Sequence, residues 1–110
     1  KWDVSRVTDM HGMFDGASFD GNISKWNVSS VVDMNHMFSA AYAFDQDIGG
    51  WNTSNVTDMS RMFSFASAFD QDLSLWCVSD IGEKPPDFDN NATSWEGGDA
   101  KRPQWGAPCD

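Results

Sequence analysis

The chain has 110 residues, enough for one small domain, and a formal net charge of −10 from 17 acidic against 7 basic side chains. This balance argues against nucleic acid and anionic membranes as partners, because phosphate binding needs clustered basic groups. It suits a cationic partner, calcium, or solubility alone. No stretch approaches the roughly 20 apolar residues of a membrane span, so direct membrane insertion is not expected, and no signal peptide is present.

Taken in chain order, the sequence is dominated by a repeat. Trp2, Trp26, Trp51 and Trp76 recur at intervals of 24, 25 and 25 residues. The copies at 2–25, 26–50 and 51–75 read WDVSRVTDMHGMFDGASFDGNISK, WNVSSVVDMNHMFSAAYAFDQDIGG and WNTSNVTDMSRMFSFASAFDQDLSL. A period of 20–50 residues signals a solenoid, whose units bury apolar faces only against their neighbours. Within a copy, Val-Thr-Asp-Met at 7–10 and 56–59 has the β-branching and alternation of a short strand. The segment 60–66 places Met62, Phe63 and Ala66 at helix-compatible spacing and predicts one or two helical turns, and 69–73 predicts a second brief strand. Ser, Asn and Gly supply the corners.

Aligning the copies turns each position into a column. Met10, Met34 and Met59 form one, and Met13, Met37 and Met62 another. Phe14, Phe38 and Phe63, then Ala17, Ala41 and Ala66, then Phe19, Phe44 and Phe69 follow, with Ile23, Ile48 and Leu73 before the tryptophans. All are apolar in every copy and are expected inside, each buried Met or Phe contributing roughly 1.5–3 kcal/mol. A methionine column can mark copper or an adaptable groove, but beside aromatic columns it reads as core.

The tail from Val78 to Asp110 breaks the pattern. Pro85-Pro86, Asn90-Asn91, Gly97-Gly98, Pro103 and Pro108 oppose long regular elements, whereas Phe88, Trp95 and Trp105 make it too aromatic for a free linker. It reads as a cap over the last copy. Cys77 and Cys109 bracket it, which favours a disulfide and an oxidising compartment over free thiols; two cysteines without nearby histidines fall short of a zinc site. The expected organisation is a three-repeat body at 1–76 and a disulfide-closed cap at 77–110 within a single domain. Because the chain opens in register on Lys1-Trp2, it reads as a piece of a longer protein with further repeats and an export signal upstream.

The string W-[DN]-V-S-x-V-T-x-M-x-x-M-F-x-x-A-x-x-F-[ND]-x-[DN]-[IL], carried from Trp2 to Trp76, resembles the BspA-like leucine-rich-repeat family of surface proteins in its mycoplasma-lipoprotein variant. Cys77-Val78, Lys84-Pro85, Phe88, Arg102-Pro103 and Trp105-Gly106 before Cys109 are similar to a cap of secreted members. With the repeat, this implies an α/β repeat solenoid of short leucine-rich-repeat-like coils, a short strand plus a helical turn in about 25 residues, ending in an irregular C-terminal cap. It further implies extracellular or cell-surface display, non-enzymatic character, and adhesion or protein binding.

One departure bears on chemistry. Where the family usually has Asn after the second Phe, this chain has Asp20, Asp45 and Asp70. Carboxylates stacked about 5 Å apart repel by about 0.8 kcal/mol in water, so each needs a backbone N–H, solvent or a cation. Asp20 with Asn22, Asp45 with Asp47, and Asp70 with Asp72 therefore form a candidate calcium ladder, against the alternative of exposed turn carboxylates and Asx turns. It is not an EF-hand loop, since Val56 stands where a bidentate Glu is required.

A second column, Asp9, Asp33 and Asp58, flanked by Thr8, Val32 and Thr57, predicts an acidic strip on which a partner docks, against a solvated face that discourages aggregation. Tyr42 and Phe65 are non-core aromatics where other copies carry small residues, and join the candidate binding set. His11 and His36 occupy different repeat positions and read as surface substitutions. No cofactor is required by these residues, and no nucleophile with a positioned base supports catalysis. Sequons at Asn22, Asn27, Asn52, Asn55 and Asn91 arise chiefly from the repeat itself. The functional expectation is a non-enzymatic extracellular module binding a protein or peptide partner, with a glycan second. The alternatives are a structural spacer or end module of a large adhesin, and a calcium-stabilised glycan-binding module.

Overall fold

Short polar side chains set the local structure. In the computed structural model, which describes residues 2–109, Asp3, Asn27 and Asn52 each accept the backbone N–H two residues on, from Ser5, Ser29 and Ser54, at 3.0 Å. Asp9, Asp33 and Asp58 do the same for His11, Asn35 and Ser60, and Asn22, Asp47 and Asp72 for Ser24, Gly49 and Ser74. These Asx turns fold every copy at the same three places, because a short side-chain oxygen offers the backbone an alternative to helix or sheet.

Between them the N–H groups divide into two alternating sets. Met34, His36, Phe38 and Ala40 donate to the carbonyls of Asp58, Ser60, Met62 and Ser64 in the next copy, at 2.7–3.0 Å. Met37, Ser39 and Ala41 instead close tight turns on Met34, His36 and Phe38, at 3.1–3.2 Å. Met10, Gly12, Phe14 and Gly16 repeat the first set toward Asp33, Asn35, Met37 and Ser39. Left-handed residues fall at matching places: Gly12 and Gly16, His36 and Ala40, Arg61 and Phe65.

This arrangement overturns the expected α/β solenoid and the leucine-rich-repeat description that accompanied it. Among the described residues there is no α-helix and no β-strand. The regular structure amounts to isolated parallel bridges at Asp9↔Asp33 and Asp33↔Asp58 and one 3₁₀ helix at Gly98–Lys101. The expected helical turn at 60–66 fails because Arg61 and Phe65 are left-handed, at φ 57° and 59°, and a right-handed helix cannot pass through such residues. The expected strands at 7–10 and 56–59 shrink to the single bridged aspartates, since the Asx turn beginning there bends the chain at once. No strand forms at 69–73 either. Nor is the whole elongated: its extents are 33 × 31 × 20 Å and its radius of gyration is 12.6 Å, against about 13 Å for a compact domain of this length.

The core columns are where the apolar repeat positions lead. Met34, Met37, Phe38, Ala41, Phe44 and Ile48 are buried, as are Met59, Met62, Phe63, Ala66, Phe69 and Leu73. Rings at one position stack on the next copy: Phe38 on Phe63 at 5.4 Å, Phe44 on Phe69 at 5.9 Å, Trp51 on Trp76 at 6.2 Å. Such pairs add about 0.5–1.5 kcal/mol beyond burial. In the first copy Met13, Phe14 and Phe19 are only partly buried, and Trp2 is 70% exposed.

The tail continues the backbone of the copies while changing their side chains. Phe88, Asn90, Ala92 and Trp95 close turns on Pro85, Asp87, Asp89 and Ala92, just as Met62, Ser64, Ala66 and Phe69 do on Met59, Arg61, Phe63 and Ala66. Arg61, Phe63 and Phe65 donate to Pro86, Phe88 and Asn90. Asp87 and Asn91 take up the left-handed positions. In this register Phe88 stands for Met62, Trp95 for Phe69, and Asp89 for Phe63. The Cys77–Cys109 disulfide is formed, with Cα atoms 5.5 Å apart. Lys1 and Asp110, the outermost residues of the expected body and cap, lie outside the described span.

Candidate binding face

Both acidic columns sit on the surface, but they are held differently. Asp45 N–H donates to Asp20 Oδ1 at 3.0 Å, Asp70 N–H to Asp45 Oδ1 at 2.9 Å, and Glu96 N–H to Asp70 Oδ1 at 3.0 Å. Gln46 and Gln71 side-chain amides bind the same Asp20 and Asp45 oxygens, both at 2.9 Å. The Asp20 carboxyl is held below its ordinary pKa, first by the Asp45 N–H and then by Gln46. A ladder of donors thus answers the repulsion that stacking would cause, with each carboxylate tying one copy to the next. The other members of the proposed calcium set, Asn22, Asp47 and Asp72, are the Asx-turn acceptors described above. These six residues are therefore occupied as hydrogen-bond acceptors within and between copies.

Asp9, Asp33 and Asp58 are brought into one line by the parallel bridges. Each Oδ1 binds its own turn: His11 Nδ1 lies 2.7 Å from Asp9, Asn35 Nδ2 donates to Asp33 at 2.7 Å, and Ser60 Oγ donates to Asp58 at 2.8 Å. The second oxygen of each has no partner among the described residues. Asp9 is held below its ordinary pKa, chiefly by the His11 N–H, and His11 is raised, chiefly by its bond to Asp9. Ligand atoms of Asp9, His11 and Asp33 all lie within 4.8 Å of one another, two exposed residues and the half-buried Asp33, a group that the repeat alignment of the histidines did not reveal. Thr8 and Thr57 are exposed beside the line, with Val32 between them. Tyr42 and Phe65 are exposed, 62% and 51%, and the structure provides no contact that joins them to the aspartates.

The line of aspartates runs into a groove at its third-copy end. Thr57, Asp58 and Met59 form one wall, and Asp80, Gly82, Glu83 and the Lys84–Pro86 turn the other, enclosing about 550 Å³. This is within the range of small-ligand sites. The groove exists because the tail holds one residue more than the copies between Ile81 and Phe88, so its backbone swings away from Thr57 before rejoining at Arg61 N–H to Pro86 C=O, 3.1 Å. Lys84 turns its ammonium to Asp89, 2.9 Å away, which also takes Arg102 Nε at 2.9 Å, and the lining keeps three carboxylates, Asp58, Asp80 and Glu83, against this one lysine. Asp80, Glu83 and Asp89 were not singled out in the sequence, and Lys84 and Arg102 entered only through the resemblance of the cap. Aligning the tail as a further copy, with Glu83-Lys84-Pro85 against Thr57-Asp58-Met59, is the signal that would have found them.

Two surface features accompany the face. Leu75 is almost fully exposed beside a smaller hollow shared with Trp76, Gln104 and the disulfide. Among the described residues no helix is long and apolar enough to cross a membrane.

Comparison with protein-family models finds a match over most of the chain. The model of a family described as "Mycoplasma protein of unknown function, DUF285" matches residues 1–99. Neither the curated proteins nor the solved structures yield a match.

Proposed function

The chain belongs to this mycoplasma family of unknown function, DUF285, and on its acidic face we propose that it is a non-enzymatic extracellular module that binds a cationic protein or peptide partner. The carrying observation is the line of Asp9, Asp33 and Asp58, three carboxylates in bridge register that lead into a groove bearing further acid. Fixed like charges in a row raise the local potential above that of scattered ones and steer an oppositely charged segment along the row. The turns hold Asp9, Asp33 and Asp58 before any partner arrives, so little ordering is required of them on binding. The disulfide is compatible with the extracellular placement. The BspA-like kinship suggested by the repeat motif agrees with surface display.

The test is saturable binding of an octa-lysine peptide, followed by calorimetry at low and physiological salt. Binding that falls with salt and is weakened several-fold by Asp9→Asn with Asp33→Asn is expected, because exposed charges are screened over about 8–10 Å. Binding indifferent to these substitutions, or no saturable binding at all, would overturn the reading and leave a structural spacer.

A further inference from the structure

The groove at the end of the acidic line is a missing rung. At the first interface Val32 N–H donates to Thr8 C=O at 2.8 Å and Met10 N–H to Asp33 C=O at 2.9 Å. At the second, Thr57 N–H donates to Val32 C=O at 2.8 Å and Met34 N–H to Asp58 C=O at 2.9 Å. At the third the pattern calls for a donor to Thr57 C=O and an acceptor for Met59 N–H. Neither group meets a partner among the described residues. Met59 is fully buried, and its counterparts Met10 and Met34 both find acceptors, so the open pair departs from the repeat's own pattern. Leaving a buried N–H unbonded costs about 1–3 kcal/mol, which a bound group offering an acceptor recovers.

We infer that this groove takes an extended peptide segment bearing lysine or arginine, whose backbone supplies the missing rung. In the register of the two existing rungs, two consecutive peptide residues do these jobs, as Val32 N–H with Asp33 C=O and Thr57 N–H with Asp58 C=O do. The first donates its N–H to Thr57 C=O, and the C=O of the second accepts from Met59 N–H. That second residue stands opposite Asp58, as Asp33 does on its other side, so its side chain lies beside the Asp58 carboxylate. Asp80 and Glu83 on the facing wall have no ion-pair or hydrogen-bond partner among the described residues, whereas Lys84 is engaged by Asp89. A basic side chain at this position therefore enters a groove lined by three carboxylates against one lysine, a balance that disfavours an acidic one. Backbone pairing gives such a site its affinity and the side-chain environment its selectivity. This inference rests on the proposed binding of a cationic partner and assigns it a place and a geometry.

The experiment uses the whole chain and three capped peptides: acetyl-Val-Lys-Val-amide, the same peptide N-methylated at the first valine amide, and the norleucine analogue. Amide chemical shifts around 57–59 and 80–84 are followed to saturation. N-methylation is expected to weaken binding about tenfold or more, as loss of one bond to a desolvated partner implies, and norleucine similarly. Gly82→Phe should have the same effect by filling the groove, since a Cβ there meets no atom within 4 Å and Gly82 is not left-handed. Equal binding of the N-methylated and parent peptides overturns the inference without reference to any variant. If Asp33→Asn weakens octa-lysine binding while the N-methylated peptide and Gly82→Phe change nothing, the acidic face stands and the groove falls. If neither lysine peptide binds saturably, both fall.

Discussion

Arg102 Nε donates to Asp89 Oδ2 at 2.9 Å, and Asp89 holds the position in the tail that Phe63 holds in the third copy. The aromatic column thus ends in an ion pair. Arg102 is buried, stacks its guanidinium 4.1 Å over Trp95, and donates to the carbonyls of Trp95, Glu96 and Gly98. Removing Asp89 leaves a buried cation with carbonyl partners only. Asp89→Ala should therefore destabilise by about 3 kcal/mol, read as a lower urea midpoint at unchanged slope. Burial raises the Asp89 pKa, but the bonds from Lys84 and Arg102 outweigh it and the net shift is downward from 3.8. A depressed carboxylate contributes stability above its unfolded value. That contribution is lost as pH falls below about 3.8 through the folded value, and acid unfolding of Asp89→Ala should lack this component.

Much of the core was legible in the sequence, and little of the backbone was. In the second and third copies the Phe, Met, Ala and Ile/Leu columns are buried because a position apolar in every copy has no other stable place. The helical and strand signals misled because they assume that a segment satisfies its own N–H groups or pairs them along an extended run. Here Phe38 and Ala40 donate to the next copy while Ser39 and Ala41 close turns, a division that periodicity does not encode. The tail was opaque for a different reason. Its turns match those of the copies, but Asp89 for Phe63 and the extra residue between Ile81 and Phe88 break the register of the apolar signature. The Asx alternative for Asn22, Asp47 and Asp72 was readable from residue type alone.

The disulfide closes a separation of 32 residues around the tail. On the chain-entropy account a loop of this size contributes about 3–4 kcal/mol. Cys77→Ser with Cys109→Ser should lower the melting temperature by more than about 10 °C in a domain of this size. Reduction of the native chain should reproduce that shift, and a change of a degree or two would show that the tail is held by Arg102 and Trp95 instead.

Asp45 joins two copies through one oxygen, accepting Asp70 N–H and the Gln71 amide. Asn at this position retains a carbonyl oxygen that can accept both, whereas Ala retains none. Asp45→Ala should destabilise by about 1 kcal/mol and Asp45→Asn by less, since exposed bonds contribute about 0.5–1.5 kcal/mol net. Hydrogen exchange at the Asp70 amide checks the mechanism: Ala should accelerate it and Asn should not.

His11 is the group whose titration reports on the acidic line. Its pKa is raised above 6.5 by the Asp9 hydrogen bond and then by the Asp9 charge, with a smaller contribution from Asp33. A raised histidine favours the folded state fully below its unfolded value, and that contribution disappears as pH rises through the folded value. The ring proton shift of His11 should therefore move at a midpoint above 6.5, and Asp9→Asn should bring it down toward 6.5. Occupation of the face by octa-lysine should lower it as well, since a neighbouring cation disfavours the charged imidazole. A midpoint unmoved by Asp9→Asn would show that the 2.7 Å contact does not persist in solution.

Phe65 combines a left-handed backbone with an exposed ring. It is left-handed at φ 59°, a conformation in which a bulky side chain is strained by roughly 1–2 kcal/mol, and its ring is half exposed. The other copies and the tail place Gly16, Ala40 and Asn91 at the matching position, and Asn and Gly are the residue types that accept this backbone readily. Phe65→Asn should therefore stabilise by about 0.5–1 kcal/mol, and Phe65→Gly by less because glycine gains more freedom when unfolded. Thermal melts of the two variants decide this directly. The same pair separates two reasons for keeping a strained aromatic on the surface. If Phe65→Asn raises the melting temperature and leaves binding of octa-lysine and acetyl-Val-Lys-Val-amide intact, the ring serves neither the acidic line nor the groove. If it weakens either, the strain is kept for contact with the partner, as strained residues at binding sites are.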